Sequence, residues 1–132
     1  MMSRQEMKWI VRSLWIVSIV LVCYLSVIPR LEIPYRFSGS DKVWHGISYA
    51  WLALLPFFGF ERRGAALAGA ITMVPLGIGL EFLQQHVPGR HLSLGDMIAD
   101  TFGVALGILA ARYLMTRYGL GHLGHDQRKI RP

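Results

Sequence analysis

Four apolar stretches, parted by short polar ones, run the length of the chain. Trp9–Ile28 holds twenty residues with one charge, Arg12, close to its start. Val43–Phe60 holds eighteen with no formal charge and a single histidine. Ala65–Leu80 has sixteen with no charge, and Leu83 extends it past Glu81. Leu94–Met115 is apolar apart from Asp96, Asp100 and Arg112. A helix needs roughly 20 residues to cross a hydrocarbon core of ~30 Å, so each stretch is long enough once its ends are included. The pattern predicts an all-α, polytopic integral membrane protein: one domain over 1–132, with spans at about 9–28, 43–60, 65–84 and 95–115 and a basic tail at 116–132.

A soluble four-helix bundle would show an apolar stripe and a polar opposite face on each helix. The first stretch is instead apolar all round, with Ser13 and Ser18 as its only central polar residues. It ends in Ile28-Pro29-Arg30 rather than a small-x-small site, which favours an uncleaved anchor over a signal peptide. Pro56 and Pro75 fall inside spans, where neighbouring helices or water must satisfy the carbonyls they free. Pro75 is expected to kink the third helix about six residues before Glu81. Gly103 and Gly107 form a G-x-x-x-G stripe for close helix approach, within this bundle or, as the second use, across a homodimer.

Composition agrees with this reading. The 132 residues are 53% hydrophobic and 17% charged, too apolar to stay disordered, and Cys23 has no second cysteine to pair with in its own chain. The formal net charge of +6 invites a nucleic-acid reading, but the basic residues form no groove with interleaved aromatics. They sort instead by side. Arg4, Lys8, Arg12, Arg62, Arg63, Arg112, Arg117, Arg128, Lys129 and Arg131 make ten; Arg30, Arg36, Lys42 and Arg90 make four opposite. The positive-inside rule then places both termini in the cytoplasm and turns loops 29–42 and 84–95 outward.

The other polar residues gather at the outward ends. Asp41, Lys42 and His45 open the second span; Glu81 and Gln84 close the third, followed by His86, Arg90 and His91; Asp96 and Asp100 open the fourth. Ionisable groups at membrane depth are costly and face a bundle interior or a wet cavity. Asp41, His45 and Tyr49 share one helix face at i, i+4 and i+8, although Asp41 is also suited to cap its helix. Glu81 and Gln84 share another face, and Asp96, Asp100, Gly103 and Gly107 a third. A carboxylate as enclosed as Glu81 needs a partner, with Arg90 and His45 the candidates. His86 and His91 read as surface residues, and Arg62 and Arg63 as topology signals.

The set D-K-x-x-H (Asp41, Lys42, His45) with Tyr49, then E-x-x-Q (Glu81, Gln84), P-G-R (Pro88–Arg90), Ser93, Asp96 and Gly103/Gly107 resembles the VanZ-like family, small membrane proteins named for a teicoplanin-resistance accessory protein. The resemblance runs from about Asp41 to Gly107 and covers three of the four predicted helices. It implies a four-helix protein of the bacterial cytoplasmic (inner) membrane, tied to the cell envelope and to low-level glycopeptide resistance. The family usually carries Asn where this chain has Asp100.

Three readings of the cluster follow. In the first, an outward-facing pocket handles a lipid or envelope-precursor headgroup: Lys42 and Arg90 contact phosphate or carboxylate, and Asp41, His45, Tyr49, Glu81, Gln84, Asp96 and Asp100 position it. Four acids against two cations leave −2, which cuts against a purely anionic ligand: either some acids are protonated or internally paired, or the ligand includes a cation. In the second, the protein is a membrane-embedded hydrolase or transferase on a lipid-linked substrate. His45 and Glu81 then serve as general acid or base, or His45, Glu81, Asp96 and Asp100 ligate a divalent ion. In the third, the cluster only locks three helices together.

Overall fold

The computed structural model describes residues 2–29 and 39–119. Arg30, Arg36, Arg128, Lys129 and Arg131, which enter the charge bias, lie outside them. Among the described residues every regular element is a helix: α1 (Arg4–Val27), α2 (Ser40–Leu54), α3 (Pro56–Gly59), α4 (Arg63–Ile71), α5 (Met73–Gln84) and α6 (Leu94–Arg117). Three helical segments are long and apolar enough to cross a membrane: Arg4–Val27, Arg63–Gln84 and Leu94–Arg117. The second apolar stretch is divided at Leu55 into α2 and the one-turn α3, and is not among the three.

Local chemistry explains the helix ends. A capping box opens α1, where Glu6 N donates to Ser3 Oγ and Ser3 N donates to Glu6 Oε2. Gly39, at φ +89°, occupies the N-cap of α2, so Asp41 is a first-turn residue and not the cap. Glycine alone adopts that backbone without strain. Ser93 caps α6 by accepting from Asp96 N at 3.2 Å.

Each proline lies close to an interruption of helix, at Leu55 before Pro56 and at Thr72 before Pro75. Pro56 has no N–H for the carbonyl of Leu52, and the Trp15 indole of α1 fills that place at 2.9 Å. Helices α4 and α5 part at Thr72, three residues before Pro75, whose missing N–H deprives the Ile71 carbonyl of its usual helical donor.

The core lies among α2, α4, α5 and α6, around Leu52, Ala53, Ala66, Ala70, Met73, Val104 and Ala111. Small residues let the backbones close together. A Cβ on Gly103 would strike the Gly46 carbonyl oxygen, and one on Gly107 that of Ala50. The glycine stripe is therefore filled by α2 of the same chain.

Helix α1 buries none of its residues fully and is held by discrete bonds. At its start, Lys8 pairs with Glu61 at 3.0 Å, and that ammonium holds the Glu61 carboxyl below its ordinary range. Arg12 donates to the Gly59 carbonyl at 2.8 Å, its guanidinium lying over the rings of Trp9 and Phe60. Midway, Trp51 donates to Ser18 Oγ. At its end, Arg90 donates Nε to the Ile28 carbonyl at 3.0 Å and Nη2 to that of Leu25 at 2.8 Å.

Candidate functional site

The site forms where the start of α2, the end of α5 and the start of α6 meet. Helical spacing already places its members on three stripes, and the packing turns those stripes toward one another. Tyr49 on α2, Glu81 and Gln84 on α5, and Asp96 and Asp100 on α6 are all buried, with Glu81 only 1% and Asp100 2% exposed. His45 is half-buried between them.

Two connections fix the imidazole and the glutamate. His45 Nδ1 lies 2.9 Å from Asp100 Oδ1. Where Asp100 is ionised it only accepts, which makes Nδ1 the donor and leaves Nε2 on the side of Asp96. There Nε2 stands 4.0 Å from Asp96 Oδ2. Glu81 Oε2 accepts from the backbone N–H of Ser93 at 3.0 Å, which ties the end of α5 to the cap of α6.

The remaining acceptors are less well matched. Glu81 Oε1 and Asp96 Oδ1 are buried and make no hydrogen bond. Lys42 Nζ approaches Asp96 Oδ1 at 3.7 Å, an ion pair longer than a hydrogen bond, from a side chain 55% exposed at the mouth of the cluster. One ligand-type atom from each of His45, Glu81 and Asp96 lies within 4.8 Å of the others. The three carboxylates Glu81, Asp96 and Asp100 against Lys42 leave a formal −2 with His45 neutral.

Some expected members are elsewhere. Arg90, read as a bidentate ligand for phosphate or carboxylate and as a partner for Glu81, spends Nε and Nη2 on the C-terminal carbonyls of α1. Asp41 sits half-buried one turn before His45. Asp100, a candidate metal ligand, lies on the Nδ1 side of His45 instead of joining the group of three. His86 and His91 are exposed, as expected. Ser93 enters as a site residue that the residue types did not single out. Its S-x-x-D spacing with Asp96 marks a helix start, but the bond to Glu81 comes from its backbone, which carries no residue-specific signal.

Beneath the cluster the helices are pared down to let it form. A Cβ on Gly77 would lie 2.9 Å from Asp100 Oδ2 and 3.0 Å from the Tyr49 ring, so glycine is what admits both side chains beside α5. A Cβ on Gly95 would meet the Lys42 stem, which lies across α6 at that point.

No protein-family model matches the chain. Nor does a solved structure. The chain is similar to an uncharacterized protein of Schizosaccharomyces pombe, 30% identical over 102 residues, a match that takes in 75% of this chain and 60% of that protein. The chain thus spans about three fifths of the length of the curated relative it matches.

Proposed function

We propose that the chain is a VanZ-like membrane protein whose buried polar cluster, at the outward end of its helices, receives the headgroup of a membrane lipid or lipid-linked envelope precursor through a positively charged group. The observation that carries this reading is the pair of buried carboxylate oxygens, Glu81 Oε1 and Asp96 Oδ1, without hydrogen-bond donors beside apolar spans. Orphaned acceptors in a low-dielectric setting are costly, and a bound donor or cation removes that cost. The formal −2 of the cluster points the same way, toward positive charge rather than a bare anion. Lys42, mostly exposed at the mouth, is then placed to meet the phosphate of the same headgroup.

In this reading the stretch 43–60 completes a fourth span, both termini are cytoplasmic, and the protein sits in a bacterial cytoplasmic membrane with a link to glycopeptide (teicoplanin) resistance. The short His45–Asp100 contact favours a second reading, a hydrolase or transferase with His45 as general base oriented by a carboxylate.

Native mass spectrometry of the purified protein tests the proposal. A retained lipid is expected, with several-fold weaker retention in Lys42→Ala and in Asp96→Asn. Wild-type protein that releases all its lipid as readily as both variants would refute it. Turnover of the retained lipid that stops in His45→Ala would establish the second reading.

A further inference from the structure

We propose that His45, Glu81 and Asp96 form a divalent transition-metal site, with Asp100 as the residue that orients its histidine. The inference deepens the headgroup reading, for which the metal is the positive group, but its ligands stand on their own geometry.

With Asp100 accepting a hydrogen bond from Nδ1–H, a neutral His45 turns its Nε2 lone pair toward Asp96 Oδ2 at 4.0 Å. One ring nitrogen of His45 and one oxygen each from Glu81 and Asp96 lie within 4.8 Å of one another, and Nε2 is the nitrogen on the side of Asp96. Lys42 offsets one of the two carboxylates from 3.7 Å, and the acceptors that remain repel unless a further cation lies between them. Metal–ligand bonds of about 2.0–2.2 Å place ligand atoms roughly 3–4 Å apart, so an ion needs only a small closure of the three side chains.

A second observation is independent of the clustering. Glu81 is 1% exposed, and its Oε1 makes no hydrogen bond although Oε2 accepts from Ser93 N. Native proteins rarely leave such an atom unmatched, and an ion is one of the recognised reasons that they do. The bond from Ser93 also does what outer partners do at metal sites: it holds one carboxylate oxygen and leaves the other free to ligate. The His45–Asp100 pair repeats the carboxylate–histidine arrangement that sets the tautomer of a metal-binding imidazole and raises its basicity.

The donor set selects the metal class. Imidazole suits Zn²⁺ and other first-row ions, and carboxylates suit Mn²⁺, so one histidine with two carboxylates fits a divalent transition ion better than Ca²⁺. Three protein ligands leave at least one position open for water or a headgroup phosphate oxygen. Lys42 borders that opening.

The test uses the full chain in detergent, freed of metal with a chelator and titrated separately with Mn²⁺ and Zn²⁺. About one equivalent of one of these ions is expected, together with a metal-dependent rise in unfolding temperature. Both should vanish in His45→Ala, whereas Asp100→Asn should weaken binding roughly 10–100-fold, as loss of an orienting partner does. With Mn²⁺ bound, pulsed electron paramagnetic resonance should show coupling to one imidazole nitrogen, lost in His45→Ala. Wild-type protein that takes up neither ion, or binds it equally in His45→Ala, overturns the site. Glu81→Gln adds a second variant, and because the readouts on wild-type protein alone decide uptake, a variant that fails to fold does not blunt the test. Metal bound without any retained lipid would refute the headgroup reading and leave the metal site standing; lipid retained by protein that takes up no metal would do the reverse.

Discussion

Trp15 and Pro56 lie far apart in the chain, yet each makes sense only beside the other. The proline removes a donor from Leu52, and the indole of a neighbouring helix restores it at 2.9 Å. The pairing predicts a coupled loss. Trp15→Phe should destabilise the protein by about 1 kcal/mol, the range for an interhelical hydrogen bond between spans. Pro56→Ala returns a backbone N–H to Leu52 and should make Trp15→Phe nearly neutral. Thermal unfolding of the four proteins in one detergent measures the coupling, and additive losses would break the argument. At the same scale, Glu81 and Arg90 show what residue type alone conveys. That Glu81 needed a partner follows from its apolar surroundings. That the partner is the Ser93 amide, while Arg90 turns to Ile28 and Leu25, depends on how loop 85–93 folds back. No periodicity reports that.

Between elements, α2 and α6 share the most extensive contact among the described helices, and glycines set its distance. The carbonyls of Gly46 and Ala50 occupy the space that a Cβ on Gly103 or Gly107 would fill. Gly107→Ala should therefore force two backbones apart and cost about 1–3 kcal/mol, as overpacking of a filled core does. Gly79→Ala on α5 meets nothing within 4 Å and should be neutral or stabilise by about 0.5–1 kcal/mol through helix propensity. Chemical unfolding compares the two. A Gly107→Ala protein with unchanged stability but altered mass by light scattering would show the stripe acting between chains instead. The G-x-x-x-G spacing announced close packing without naming the opposite surface, because glycine marks an approach and not its partner.

For the whole molecule, the number of crossings fixes which side each terminus occupies. Four crossings put the C-terminus with the N-terminus, and three would part them. Alkaline phosphatase fused after Pro132 is expected to be inactive and green fluorescent protein at the same place to fluoresce. In a Cys23→Ser background, His86→Cys should react with an impermeant maleimide from outside intact cells. An active phosphatase fusion would overturn the four-crossing arrangement. The apolar stretches made the all-helical architecture of the described residues legible in advance, since a bilayer dictates helix length. The division at Leu55 was foreseeable from Pro56; its effect on the length of α2 was not, because neighbouring helices decide whether a proline bends a helix or ends it. The cluster was legible as three stripes, and their convergence awaited the packing of α2, α5 and α6. Helix α1 carries a further consequence in time. The two bonds that hold its end come from Arg90, 62 and 65 positions downstream of their acceptors. At roughly 5–20 residues per second of synthesis, α1 waits several seconds for that side chain to be made. The end of α1 is thus fastened later than its start and middle, whose partners lie within residues 51–61.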